Sequence, residues 1–309
     1  MKYQVEFDEY LQENRDPFNI LGNKEHREIL TNILDSRSLE RDLFTTSTII
    51  LEELTKLNKR SKLYRQWRKK DGEKTRILSV PHPLLEKFYS VYLVPLIKSF
   101  PVHQKAHGGE RHWSPKKSLE THITCTQVLS FDLSNAFSNV TVCDVFDFFF
   151  SALVQFEGST KRKLAGFLSM LTTVTYNDKR SLPQGSVHSM PLFNRILYQL
   201  DVSLDQVSRE RGFNYTRWVD DLTISSLSQR SIEDFLGAIF LASYYFPVAE
   251  QKVFFQHSSK PIYLLGYVIE SGIIRKNSRE EKEQNKVAPI NYKDWFGDVR
   301  KFKSWEVAS

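Results

Sequence analysis

The chain has 309 residues, 40% of them hydrophobic and 13% aromatic, enough for two domains or one large domain with a real core. A net charge of +6 permits nucleic acid as a partner, and two cysteines at no metal-type spacing, Cys125 and Cys143, argue against a disulfide scaffold. The N-terminal run MKYQVEFDEY lacks the basic and apolar regions of a signal peptide, and residues 148–154 are too short an apolar stretch to span a membrane. A soluble, cytoplasmic protein with no membrane partner is therefore expected.

Residues 1–35 are polar and mixed, and no role is assigned to them. Residues 38–57 look helical, with apolar residues at Leu43, Ile49, Ile50, Leu51 and Leu54 and no breaker. Residues 59–76 concentrate the positive charge, with nine basic and two acidic residues. That is +7, so the remainder of the chain is close to neutral. Tyr64 and Trp67 interleave with these charges as stacking or packing groups. On its own such a run is read first as a solvated helix face.

A strand is expected over 76–80, stopped by Pro81 and Pro83. Helical spacing resumes over 84–100, with a kink or break at Pro95. Residues 106–115 have loop composition. The run 128–133 is a strand, and 142–155 and 160–174 are helices with a buried face. Leu182-Pro-Gln-Gly185 is a turn, and one long helix follows over about 191–211. Residues 213–219 and 222–226 form the arms of a hairpin. A helix over 232–245 and strands over 252–256 and 262–269 complete the series. Antiparallel strands with helices on one side make the fold class α+β rather than doubly wound.

The most informative residues are acids. Asp132 lies in Leu129-Ser-Phe-Asp-Leu-Ser-Asn-Ala-Phe137, and Asp220-Asp221 in Tyr215-Thr-Arg-Trp-Val-Asp-Asp-Leu-Thr-Ile-Ser225. Each cluster ends an apolar, β-prone run, where a carboxylate is costly to hold beside another. Any one of them alone suits a turn or a cap. Together they have the layout of a two-metal phosphoryl-transfer site, in which divalent cations bridge carboxylates and substrate phosphates. His103, His107, His112 and His122 have irregular spacing, which suits a loop near nucleic acid better than zinc.

These motifs, in this order, resemble those of bacterial reverse transcriptases of the retron and phage-defence group. Asp132 with Phe137 matches the first catalytic motif, and Leu182-Pro-Gln-Gly185 the second. Trp218-Val-Asp-Asp221 matches the third, with Trp in place of the usual Tyr. Ala249-Glu-Gln-Lys252 resembles the fourth, Leu264-Leu-Gly-Tyr267 the fifth, and the run from Lys69 to Arg76 the fingers loop. The resemblance covers about residues 60–270. Only Leu119-Glu-Thr-His122 resembles the element before the first motif, and the Val-Thr-Gly triplet near the thumb is absent, so a divergent member rather than a standard retron enzyme is expected.

The resemblance implies a right-hand polymerase with fingers, a palm of antiparallel sheet backed by helices, and a small thumb. The fingers would span 36–125, including the basic loop 59–76. The palm would span 126–270, with a fingers-contributed helical insertion around 142–180. Residues 271–309 would be a short thumb or a partner-docking segment. Two Mg²⁺ ions, with Mn²⁺ as a substitute, would be held by Asp132, Asp220, the supporting Asp221 and the Leu133 backbone. Lys69 and Arg76 would bind the triphosphate, Phe137 would exclude a 2′-OH, and Gln184 with Gly185 would pack on the nucleotide. Lys252 would neutralise or protonate the pyrophosphate. Leu265, Gly266 and Trp218 would position the primer.

The implied activity is RNA-directed DNA synthesis, in a bacterial anti-phage setting, with an RNA template and a DNA product. A structured non-coding RNA, a partner protein or self-assembly would supplement a short thumb. Two alternatives stand beside it: untemplated or protein-primed synthesis by a related enzyme, and a non-catalytic RNA-binding module.

Overall fold

A computed structural model describes residues 2–13, 24–35, 53–56, 63–71, 74–176, 178–278 and 287–290. In chain order the strands are β1 (Tyr64–Asp71), β2 (Lys74–Pro81), β3 (Gln127–Leu133), β4 (Val174–Tyr176) and β5 (Lys179–Ser181). They continue with β6 (Phe213–Trp218), β7 (Asp221–Ser226), β8 (Val248–His257), β9 (Ile262–Leu264), β10 (Tyr267–Glu270) and β11 (Ile273–Lys276). The chain divides into two compact units. One comprises Met1–Pro101 with Phe137–Ile196, and the other Val102–Ala136 with Leu197–Ser309.

The second unit is built on a four-stranded antiparallel sheet in the order β6-β7-β3-β8. β3 is central because Val128, Leu129, Phe131 and Leu133 give it an almost continuous apolar run, which is what a strand covered on both faces needs. The helices Tyr198–Glu210 and Ile232–Tyr245 pack against this sheet and each other. Phe235 of the latter meets Phe213 of β6 and Phe255 of β8, with ring centroids 4.7 and 5.2 Å apart. A separate three-stranded sheet, β11-β10-β9, packs its Ile262, Leu264, Ile269 and Ile274 on Leu119 and Cys125.

The first unit is helical around Gly158–Thr172, whose Leu164, Phe167, Leu168 and Leu171 are buried. The helix Val142–Ala152 lies beside it, started by a capping box in which Thr141 and Asp144 satisfy each other's backbone amides. The segment 1–35, which had no assigned role, supplies the helices Gln4–Glu13 and Lys24–Asp35, both packed against Gly158–Thr172.

The α+β class is as expected, and so is the hairpin over 213–226. Three expectations are corrected. The described part of the basic run, 64–71 and 74–76, lies in strands and not on a helix face: β1 pairs in antiparallel register with β2, from Tyr64 opposite Pro81 to Asp71 opposite Lys74. Tyr64, at the base of β1, is half-buried and hydrogen-bonded to the Tyr89 hydroxyl, whereas residues 65–70 are exposed, Gln66 among them donating to the Thr175 carbonyl. The break expected at Pro95 falls one turn earlier, in a π-helical turn over Tyr89–Leu93. A proline lacks an N–H and crowds the carbonyl four residues back, and a widened turn relieves both. The single helix expected over 191–211 is two, Ser189–Ile196 and Tyr198–Glu210, separated at Leu197.

The 38–57 helix and the 277–309 segment lie largely outside the described residues. The boundary expected at 125/126 has no counterpart in the two units, since 102–136 is one piece. Cys125 and Cys143 are not bridged. Among the described residues no helix is long and apolar enough to cross a membrane.

Candidate active site

The acids converge because two strands run antiparallel. Asp132, one residue from the end of β3, stands directly opposite Asp221, the first residue of β7. The β6–β7 hairpin closes with Trp218 opposite Asp221, leaving Val219 and Asp220 as a two-residue loop. The Leu133 amide donates to the Asp220 carbonyl at 2.8 Å, so both acidic segments are tied by the backbone. Asp132 is buried, and burial pushes the Asp221 carboxyl up to about 6.

β8 supplies the cation. Its pairing with β3 is regular up to Phe131 opposite Val253 and resumes only at Leu133 opposite Val248. The β8 residues between them, Ala249 to Lys252, bulge opposite Asp132, and the Lys252 ammonium is ion-paired with the Asp132 carboxylate.

The loop tip is backbone-strained. Val219 has φ +60°, a conformation that a β-branched residue adopts at a cost of order 1–3 kcal/mol. Its neighbours enforce it. Arg217 Nη1 donates to the Val219 carbonyl at 2.7 Å. The Arg217 amide donates to the Lys105 carbonyl, and the Arg217 carbonyl accepts from His107, each at 2.8 Å. Gly108 lies so close that a Cβ there would overlap the Val219 nitrogen. Behind the hairpin, the fully buried His122 ring is hydrogen-bonded to Ser225 Oγ at 2.7 Å and Thr216 Oγ1 at 2.8 Å. Burial, with smaller contributions from His107 and Lys105, lowers its pKa to about 3.

Within the first unit, Lys69 and Arg76 are cross-strand partners, both exposed. They share a face of the hairpin with Trp67, Leu78 and Val80, because alternate residues of a strand point the same way. Gly185, at φ +101°, rests on Leu78 and Val80 of that face, and the Gln184 carbonyl accepts from the Ser79 amide at 2.8 Å. Ser79 Oγ is hydrogen-bonded to Tyr176 at 2.7 Å. Just beyond the turn, buried His188 donates from Nε2 to the Thr172 carbonyl at 2.9 Å, and burial lowers its pKa to about 4. Phe137 is half-buried and meets Phe193, centroids 5.0 Å apart. In the second unit, Leu265 and Gly266, at φ +50° and +79°, form the two-residue turn joining β9 to β10.

The histidines are mostly scaffold rather than loop surface. His107 stacks on Trp113 at 3.4 Å and bonds Ser118, His122 is in the core, and His103 lies 3.7 Å from the Asp205 carboxylate. Sequence reasoning also missed Arg217 and Asp201, a fully buried bidentate pair with both bonds at 2.7 Å. A signal was present: Asp201 interrupts the stripe Leu197, Leu200, Leu204, and Arg217 follows Phe213 and Tyr215 on alternate positions of β6.

Among the described residues no three His, Cys, Asp or Glu side chains are grouped so as to hold a metal ion by themselves. The donor set still fits magnesium, a hard cation that takes one or two carboxylates and completes its shell with water and substrate phosphates. The raised Asp221 pKa also marks a carboxylate whose ionised form a cation would favour.

The family model of the reverse transcriptase (RNA-dependent DNA polymerase) matches residues 67–269, well over half of the chain. The chain belongs to that family. The retron Mx162 reverse transcriptase of Myxococcus xanthus is 31% identical over 171 residues, 51% of this chain and 34% of that protein. The retron Ec86 reverse transcriptase of Escherichia coli is 32% identical over 135 residues, 43% of this chain and 39% of that protein. The matched stretches thus span between a third and two-fifths of these relatives. Among solved structures, apo telomerase from Candida tropicalis, truncated from its C-terminal domain, aligns with a TM-score of 0.49 at 11% identity, covering 74% of this chain and 60% of that one.

Proposed function

We propose that the protein is an RNA-directed DNA polymerase, extending a 3′-hydroxyl with dNTPs against an RNA template and releasing pyrophosphate. The observation that carries this is Asp132 facing Asp221 across adjacent strands, with Asp220 at the strained tip, in a chain of the reverse transcriptase family. In the reaction a bond forms between the 3′-oxygen and the α-phosphorus as the bond to pyrophosphate breaks.

Asp132 and Asp220, supported by Asp221 and the Leu133 backbone, would hold two Mg²⁺ ions, with Mn²⁺ as a substitute. Such ions supply Lewis-acid stabilisation of the attacking and leaving oxygens. Lys252 first neutralises Asp132, and with substrate bound it serves the pyrophosphate as a cation or proton donor. Lys69 and Arg76 bind the triphosphate, Arg76 as a fork and Lys69 as a point charge. Gln184 and Gly185 pack on the nucleotide, and Phe137 excludes a 2′-OH. Trp218, Leu265 and Gly266 position the primer.

In this assignment the sheet β6-β7-β3-β8 belongs to the palm and the β1–β2 hairpin to the fingers. Residues beyond 271 act as a thumb or docking segment, helped by a structured RNA, a partner protein or self-assembly. A cytoplasmic, anti-phage role goes with likeness to retron enzymes.

The test is extension by purified protein with Mg²⁺ and dNTPs, with the product sequenced, beside an Asp220→Ala/Asp221→Ala control. Product complementary to RNA and lost in the control is expected. Product without complementarity would favour untemplated synthesis, and metal-independent RNA binding with no synthesis would favour a non-catalytic module.

A further inference from the structure

Arg217 and Asp201 form an ion pair completely withdrawn from water, on β6 and on the helix Tyr198–Glu210. Nε and Nη2 of the guanidinium grip the two carboxylate oxygens, and the Tyr215 hydroxyl donates to Asp201 Oδ1 at 2.7 Å. Such a pair is a poor device for stability alone, because two desolvated charges gain little over apolar side chains of similar volume. Its geometry suits another use. The remaining arm of the fork, Nη1, donates to the Val219 carbonyl, at the left-handed residue preceding Asp220.

Asp201 therefore fixes the guanidinium plane, and the plane fixes one peptide of the loop. The other anchor of that loop is the Leu133 amide on the Asp220 carbonyl. A strained backbone persists only where its surroundings over-determine it, and here one donor holds each of two consecutive carbonyls. Lysine has no planar fork, so it can neutralise Asp201 without holding the Val219 carbonyl in the same plane.

We propose that Arg217 is a positioning residue for the carboxylate pair: oriented by Asp201, it holds the Val219 carbonyl so that Asp220 and Asp221 are presented together to the metal ions. This rests on the polymerase function proposed above. Loss of the contact leaves nucleotide and primer–template binding intact, but lets the loop relax and misplaces the carboxylates.

The experiment compares wild type, Arg217→Lys and the apolar triple Asp201→Leu/Tyr215→Phe/Arg217→Met, which removes the charges together and leaves none stranded. Extension is measured against Mg²⁺ concentration and dNTP concentration, and amide hydrogen exchange is followed at 218–221 in the metal-free proteins. With cooperative thermal unfolding retained, both variants should show a half-saturating Mg²⁺ concentration raised about tenfold, a misplacement effect on kcat of order 10²-fold, and an unchanged KM for dNTP. Exchange at 218–221 should accelerate while that of β3 and β8 does not.

Wild-type Mg²⁺ dependence and exchange in either folded variant would overturn the proposal. So would activity lost only in proportion to unfolding. If wild type synthesises nothing, the polymerase assignment falls, whereas exchange at the loop still decides whether Arg217 holds it.

Discussion

His122 offers a quantitative check on the scaffold behind the acidic hairpin. Its ring is fully buried between Ser225 and Thr216, and its pKa falls from 6.5 to about 3. As pH falls through 6.5 the unfolded chain takes up this proton, whereas the folded chain does not until pH nears 3. The contribution is thus fully present above pH 6.5 and is lost progressively below it. At about 1.4 kcal/mol per pH unit the whole shift corresponds to about 5 kcal/mol, of which about 3 kcal/mol is lost by about pH 4.5. In His122→Gln the amide retains hydrogen-bonding capacity but does not titrate. Urea unfolding followed by circular dichroism at about pH 7.5 and about pH 4.5 gives the comparison. Wild type should lose about 3 kcal/mol more than His122→Gln across that interval, the histidines that do not interact with His122 cancelling because both proteins contain them and the coupled His107 leaving a smaller remainder. Equal losses in the two proteins would refute a neutral, water-excluded His122.

Three further outcomes follow from the site. Lys252→Met removes the cation on Asp132; kcat for incorporation should fall about 10²-fold with primer–template affinity unchanged, as read by single-turnover extension and by filter binding. Phe137→Val should erode the preference for dNTP over rNTP by on the order of 10- to 100-fold, measured as the ratio of kcat/KM values, and little effect on that ratio would make Phe137 simply a packing partner of Phe193. Gly108→Ala places a methyl group against the Val219 nitrogen and should cost roughly 1–3 kcal/mol in thermal unfolding, with activity falling further than stability because the strained loop is what moves.

Much of the second unit was legible because its elements obey local rules. The apolar run around Asp132 reads as a strand, and β-prone arms flanking the Asp220-Asp221 pair read as a hairpin. The two strands bring the acids together by register alone. The basic run was not legible in the same way. Its residues 65–70 are all exposed and only Tyr64 beside them is half-buried, and a strand so charged gives no hydrophobic period to read. Pro95 announced a break but not its place or form, a π turn over Tyr89–Leu93, and the break at Leu197 was invisible because it is a backbone adjustment inside a helical pattern that continues across it.

What the sequence could not express is how the acidic loop is kept in a conformation its own residues disfavour. Glycine or asparagine would adopt positive φ at position 219 at little cost, yet valine stands there. Its conformation is instead imposed from outside by residues far away in sequence: Asp201 through Arg217, the Gly108 backbone, and Leu133 at the next carbonyl. A glycine at 219 would reduce the strain and also free the loop to swing when a nucleotide is absent. Valine, held by Arg217 at its carbonyl and by Gly108 at its nitrogen, with Leu133 on the next carbonyl, is set before substrate arrives, and on the proposed function reorganisation then need not accompany the chemical step. On this argument Val219→Gly should stabilise the fold slightly or leave it unchanged while lowering kcat. A faster enzyme with glycine at this position would show that the strain serves nothing.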